Sequence, residues 1–319
     1  MIVLGFPENT AQSSALAAAL GCTHATIDVH RFPDGESRLQ LPPALPADVV
    51  LFRTLDHPNE KLVELLIAAG GARDLGAADL TLVVPYLCYM RQDIAFEPGQ
   101  PVSQRIVGRL LAGTFDAVVT VDPHLHRVAT LDEAVPASRT ACLSAAPELG
   151  EFLRGQVAGD TLLLGPDEES AQWVSRVAGP GGYAFDVARK QRLGDRQVQV
   201  TLPDRDVAGR SVVLVDDVIA SGHTMMEAAR ALRARGATAV HAIATHGLFA
   251  EGALDGMQAA GIDQIWTSDA IPHATSALPL AALLASGVRS SAGMHRLSGG
   301  TTPQAARTTT RDRDGDSNV

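Results

Sequence analysis

The feature that most limits the fold of this chain is its regular alternation of short, wholly apolar runs with longer Ala/Leu-rich stretches. Runs rich in Val, Leu and Ile fall at 49–52, 80–84, 117–121, 161–164, 211–215 and 239–244. Continuous rather than alternating hydrophobicity marks strands covered on both faces, as in parallel sheets. Between them the pattern predicts helices over 10–20, 60–72, 102–112, 146–154 and 225–235. Strand–helix alternation of this kind implies parallel α/β sheets with right-handed crossovers.

A chain of 319 residues can hold two such sheets, each with its own core. Both halves contain the order strand, site-like turn, helix: one apolar run ends in Asp122-Pro123-His124, another in Asp216-Asp217. Ligands of open α/β sheets bind beyond the carboxyl ends of strands, so both ends are candidate sites. A duplicated domain with a boundary near residue 145 follows, giving 1–145 and 146–289. From about residue 290 Ser, Thr, Gly, Arg and Asp dominate without apolar periodicity, so 290–319 is predicted to be a disordered tail.

Aromatic residues are only 4% of the chain, so the cores must rest on aliphatic side chains. The formal net charge of −10 excludes a general affinity for nucleic acid, which needs clustered Lys and Arg, and makes any phosphate site a local one. Cys22, Cys88 and Cys142 lack metal-ligand spacing and read as small buried residues of a reducing compartment. The N-terminus reads as a short strand rather than a leader, and no apolar run approaches the roughly 20 residues of a membrane helix. A soluble cytoplasmic protein with no membrane partner is expected.

The segment 215–224 carries the most chemistry. An apolar strand delivers the chain to Asp216 and Asp217, a turn with Ser221 and Gly222 follows, and Thr224-Met225-Met226-Glu227 fits a capping box that starts a helix at Thr224. Free backbone N–H groups at a helix start, with a glycine allowing close approach, suit a phosphomonoester. Two carboxylates beside a phosphate would repel it, so they suit a ribose diol or a divalent cation instead. The plainer reading is a buried strand with an acidic end, and the Ser-Gly-x-Thr turn weighs against it.

This segment resembles the PRPP (phosphoribosyl pyrophosphate) motif of type I phosphoribosyltransferases and ribose-phosphate pyrophosphokinases, with His223 where the latter usually carry a second glycine. Three further segments resemble the pyrophosphokinases alone: Arg31-Phe32-Pro33-Asp34-Gly35-Glu36, Pro85-Tyr86-Leu87-Cys88-Tyr89-Met90-Arg91-Gln92-Asp93 and Thr120-Val121-Asp122-Pro123-His124. Singly each has a plain alternative, a turn, a solvated ion pair or a satisfied histidine. Together and in order they point to that family, along with Pro101-Val102-Ser103, Thr245-His246-Gly247-Leu248-Phe249 and Ile271-Pro272-His273.

The resemblance implies an α/β fold of two tandem phosphoribosyltransferase-like domains, each a mainly parallel sheet flanked by helices. It implies transfer of the β,γ-pyrophosphate of ATP to the 1-hydroxyl of ribose 5-phosphate, with Mg²⁺. Phe32, Asp34 and Glu36 would contact adenine across a subunit interface of a homo-oligomer, and Arg91, Gln92 and His124 would complete the ATP site. His124 and Asp167 would serve the metal. Asp216 and Asp217 would hold the ribose hydroxyls, and Ala220, Ser221, Gly222, His223 and Thr224 the 5-phosphate. Lys190 and Arg192 would sit on a closing loop and neutralise the polyphosphate. The chain departs from the family at Ile94-Ala95-Phe96, where basic residues are frequent, and at Glu168-Glu169-Ser170, where glycines are. The alternatives are a PRPP-consuming phosphoribosyltransferase and a non-catalytic regulatory subunit.

Overall fold

A computed structural model of the chain describes residues 1–125, 127–192 and 198–298. The first half contains β1 (Ile2–Gly5), β2 (Thr23–Thr26), β3 (Asp28–Arg31), β4 (Ser37–Gln40), β5 (Asp48–Phe52), β6 (Asp79–Val83), β7 (Ala117–Val121) and β8 (Arg139–Leu143). Its helices are α1 (Thr10–Leu20), α2 (Pro58–Asp74), α3 (Ser103–Thr114) and the single turn α4 (Leu131–Ala134). Six strands form one parallel sheet in the order β2-β1-β5-β6-β7-β8, while β3 and β4 make a separate antiparallel hairpin. The β5, β6 and β7 runs are buried almost without a break, which is why they read as uninterrupted apolar segments.

The second half contains α5 (Ala146–Leu153), β9 (Leu162–Gly165), α6 (Ala171–Gly181), β10 (Ala184–Val187), β11 (Arg189–Arg192), β12 (Val198–Thr201), β13 (Ser211–Ile219), α7 (His223–Ala234), β14 (Ala239–Gly247), α8 (Ala253–Ala259), β15 (Gln264–Ser268), β16 (Ser276–Leu278) and α9 (Ala281–Ser298). Its sheet has the order β10-β9-β13-β14-β15-β16, and adding eight to each strand number of the first sheet reproduces it. Matched side chains repeat with the strands. At the end of α2, Arg73 bonds Asp116 and the Ala77 and Ala78 carbonyls, and Asp116 accepts the Leu80 N–H. At the end of α7, Arg233 bonds Asp263 and the Ala237 and Thr238 carbonyls, and Asp263 accepts the Val240 N–H. The same clasp in the same place makes the two halves copies of one plan.

The expected boundary near residue 145 falls between β8 and α5. The last described helix nonetheless packs on the first half. Leu284, Ala285 and Val288 of α9 share a core with Val3, Phe52, Val83, Val119 and Val121 of the first sheet. Gly287 lets α9 come close, since a Cβ there would lie 2.8 Å from side-chain carbons of Leu143 and Val119. The expected start of the tail at 290 therefore falls inside this helix, and 299–319 lie outside the described residues. The strand expected at 211–215 is longer too, its ladder with β14 running to Ile219 opposite Gly247.

Candidate active site

The carboxyl ends of β6 and β7 meet those of β13 and β14, so the two halves share one polar seam. Asp122, just after β7, accepts bonds from the Ala145 N–H (2.9 Å) and the Thr245 hydroxyl (2.8 Å). His246 Nε2 lies 3.1 Å and 3.2 Å from the carbonyl oxygens of Val121 and Asp122, so that nitrogen carries the hydrogen. Burial lowers the proton affinity of His246 more than Asp122 and Asp217 raise it, which keeps the ring neutral. Its ring packs edge-on against Tyr86, with centroids 5.1 Å apart.

Asp216 and Asp217 sit within β13, not at the end of a strand that stops at Val215 as expected. The ladder to β14 continues through them, with Asp216 opposite Ala244 and Val218 opposite His246. The Asp217 carboxylate accepts from His124 Nδ1 at 2.7 Å, a bond across the seam between two residues singled out separately in the sequence. Burial works to raise the Asp217 pKa, but the bond and charge of His124 outweigh it and the group titrates below its ordinary value. Asp216 moves the other way. Burial, reinforced by the charges of Asp217 and Asp167, pushes it well above the carboxylate range. Asp167 is buried at the end of β9, where its carboxylate accepts the Glu169 N–H and its carbonyl the Ser170 hydroxyl. Ser170 in place of a glycine thus closes a capping box of its own.

The turn after β13 differs in detail from expectation. The helix starts at His223, not Thr224, because Gly222 takes a left-handed conformation (φ 71°) and serves as N-cap. Its carbonyl receives the Met226 N–H at 2.8 Å, and the box between Thr224 and Glu227 is not formed. Met257 lies 3.0 Å from where a Gly222 side chain would begin, a second reason for glycine. Ser221 and His223 are exposed at the helix start, and Ala220 is half-buried. A helix start of this kind presents amide N–H donors and the positive end of the dipole.

Arg91 and Gln92 line a cavity of about 630 Å³ together with His57, Asn59, Tyr89 and Ala220. Gln92 is fixed by the Ser103 hydroxyl at 3.0 Å, and Tyr89 bonds Asn59. Phe32, Asp34 and Glu36 line a second cavity of about 830 Å³, which shares Asn59 with the first. These two parts of the expected ATP site thus line adjoining cavities that meet at Asn59. Lys190 and Arg192 lie on β11, paired with Val200 and Val198 of β12. Residues 193–197 of that ribbon lie outside the described residues.

Sequence reasoning missed His57, Asn59 and Tyr89, and it missed the seam contacts of Asp122, Thr245 and His246. One signal was available: His57 and Asn59 follow the carboxyl end of β5 as Ser221 and Gly222 follow β13. Backbone strain marks the same region. Of the described residues, the non-glycines at positive φ are His57, Tyr89, Asp122 and Phe249, and each stands beside the cavity or the seam. Each such conformation costs on the order of 1–3 kcal/mol and persists only where packing imposes it.

Two copies of one parallel α/β plan, joined at their carboxyl edges over buried aspartates and an amide-lined turn, define a two-domain phosphoribosyl-type enzyme. A family model for the N-terminal domain of ribose phosphate pyrophosphokinase matches residues 1–114, and one for the phosphoribosyl synthetase-associated domain matches 190–284. A ribose-phosphate pyrophosphokinase of Methanopyrus kandleri is 39% identical over 296 residues, spanning 92% of this chain and 100% of the relative. Another, of Methanosarcina acetivorans, is 33% identical over 290 residues, spanning 91% and 99%. The crystal structure of phosphoribosylpyrophosphate synthetase from Mycobacterium smegmatis shares the fold, with a TM-score of 0.78, 23% identity, and 92% and 99% of the two chains covered. The chain belongs to the ribose-phosphate pyrophosphokinase family.

Proposed function

We propose that this enzyme transfers the β,γ-pyrophosphoryl group of ATP to ribose 5-phosphate in the cytoplasm. The 1-hydroxyl oxygen attacks the β-phosphorus, the bond from that phosphorus to the α,β-bridging oxygen breaks, AMP leaves, and the hydroxyl proton is lost. The observation that carries this reading is the Asp216–Asp217 pair inside β13, set just ahead of the helix start at Gly222. In this reading the turn from Ala220 to Thr224 binds the 5-phosphate through backbone donors, and the pair accepts bonds from the ribose hydroxyls. Asp217, kept ionised by His124, is the stronger acceptor. Arg91 and Gln92 contact the nucleotide, and Lys190 and Arg192 neutralise charge on the transferring group. No helix among the described residues is long and apolar enough to cross a membrane.

The donor chemistry fits a hard cation such as Mg²⁺. Asp167, just after β9, and Asp216, within the neighbouring β13, interact electrostatically, and no group of three or more His, Cys, Asp or Glu ligands occurs among the described residues. Carboxylate oxygens without a full protein cage suit an ion that keeps waters and substrate phosphates as ligands. Asp167 and His124 would hold it, and when bound it would supply positive charge to offset that of the substrate phosphates. The exposed aromatic ring of Phe32 at the hairpin tip supports a homo-oligomer in which the hairpin serves a neighbouring copy.

The deciding experiment is AMP formation from Mg-ATP and ribose 5-phosphate. Wild-type enzyme should form AMP and PRPP in equal amounts, and Lys190→Ala should lose most turnover while still binding ribose 5-phosphate. No AMP with PRPP binding intact would overturn the reading in favour of a PRPP-consuming transferase or a silent subunit.

A further inference from the structure

The duplication assigns a role to a buried ion pair that the reaction does not use. In the first sheet Leu51 stands opposite Leu4, and in the second Leu214 stands opposite Leu164. Two residues further along the equivalent strands come Arg53 and Asp216. Where the second half offers a carboxylate to a ligand, the first half therefore holds a guanidinium. It is fully enclosed: Arg53 is 1% exposed and stacks on Phe6, with 3.8 Å to the ring centroid. It donates to Glu8 (2.8 Å), to the Lys61 carbonyl (3.1 Å) and to Glu64 (2.6 Å). The site that binds ligand in one copy of the plan is filled by protein in the other.

Glu64, on α2, is itself buried and has two further partners. Arg31 Nε donates to it at 2.9 Å and the Ser37 hydroxyl at 2.8 Å. These two residues face each other as the last rung of the β3–β4 hairpin. Between them lies only the tip, Phe32 to Glu36, held together by its own turn bonds, including Gly35 N–H to the Phe32 carbonyl and Glu36 N–H to the Asp34 carboxylate. Both flanks of a stiff tip thus converge on one carboxylate anchored to the core through Arg53. Burial works against the charge, but the bonds from Arg31, Arg53 and Ser37 prevail and hold the Glu64 pKa down at about 2. The clamp is ionised at every working pH.

We propose that Glu64 is a positioning residue which, through Arg31 and Ser37, fixes the hairpin tip against α2 and so sets where Phe32, Asp34 and Glu36 meet the nucleotide base. The inference rests on the nucleotide reading given above, and its test separates the two. Glu64→Gln keeps the shape and an acceptor but removes the charge; Ser37→Ala removes one tie and spares the buried Arg53. Glu8→Gln is the control, because Glu8 accepts from the same guanidinium but makes no hydrogen bond to the hairpin among the described residues. Each variant is assayed for KM of ATP and of ribose 5-phosphate, and for amide hydrogen exchange at 32–37.

Glu64→Gln should raise the KM for ATP about tenfold and Ser37→Ala about threefold, with the KM for ribose 5-phosphate within about twofold of wild type. Exchange at the tip should quicken in both variants and stay at the wild-type rate in Glu8→Gln. If Glu64→Gln does not fold, Ser37→Ala carries the test alone. Unchanged tip exchange and ATP KM in Ser37→Ala, or an equal rise of both KM values in Glu8→Gln and Glu64→Gln, overturns the clamp. A wild type that forms no AMP sinks the nucleotide reading instead, while the exchange data still judge the clamp.

Discussion

Asp216 and Asp217 are adjacent in sequence and opposite in behaviour. Asp217 has His124 to stabilise its negative form, whereas Asp216, half-buried beside the carboxylates of Asp217 and Asp167, holds its proton more tightly than an unfolded chain would. The folded state therefore binds more protons than the unfolded state from the ordinary carboxylate range up to the raised Asp216 value. Stability must fall as pH rises through that window. Asp216→Asn does not titrate and can still accept the Asp217 N–H, now 3.0 Å from Asp216 Oδ1. In ligand-free protein with chelator present, its thermal midpoint should exceed that of wild type at pH 8. The gain should shrink toward zero as pH falls into the ordinary carboxylate range. Ribose 5-phosphate binding should weaken by roughly tenfold, the worth of one bond to a charged group. A variant no more stable than wild type at pH 8 would remove the case for a strained carboxylate.

At the scale of elements, close approach of backbones decides what composition leaves open. Gly150 lies inside α5, where alanine would favour the helix by about 1 kcal/mol. A Cβ there would stand 2.2 Å from the Val177 carbonyl oxygen on α6. Gly150→Ala should therefore destabilise by about 1–3 kcal/mol, seen as a lower urea midpoint at unchanged slope. Gly113→Ala in α3, where nothing lies within 4 Å, should instead stabilise by up to about 1 kcal/mol. Much of the element pattern was legible. The buried runs at β5, β6 and β7 were located within a residue or so, because enclosure on both faces leaves an unbroken apolar signature. The extension of β13 through Asp216 and Asp217 was not, because β14 sets that ladder regardless of side-chain polarity. The helix start moved to His223 because a glycine able to turn left-handed outcompeted a capping-box pattern. In the site, Arg91, Gln92 and the two aspartates stood out as local motifs. The His124–Asp217 bond joins residues 93 positions apart, and the Asp122–Thr245 bond residues 123 apart, and no local window reports such pairs.

The two halves form one unit in a way their duplication does not require. Proteins with two domains commonly unfold in separable steps. Here α9 leaves the second sheet and covers the first, so the first half completes its core only with the last described helix. The seam adds bonds in the other direction, from Thr245 and His246 to Asp122 and Val121. Unfolding the first half alone would expose Val3, Phe52, Val83 and Val119 and strip α9 of its support. Unfolding the second half alone would leave the Asp122 carboxylate without its Thr245 partner. Calorimetry of the ligand-free chain should therefore show a single transition. Leu284, 2% exposed on α9, offers the test. Leu284→Ala removes buried methyl groups against the first sheet and should cost about 2–5 kcal/mol. If the halves are one cooperative unit, the whole transition moves down together and amide exchange quickens in β13 and β14 as much as in β1 and β7. A new early transition, with exchange in β13 and β14 unchanged, would show that α9 stabilises the first half alone and that the seam does not transmit the loss.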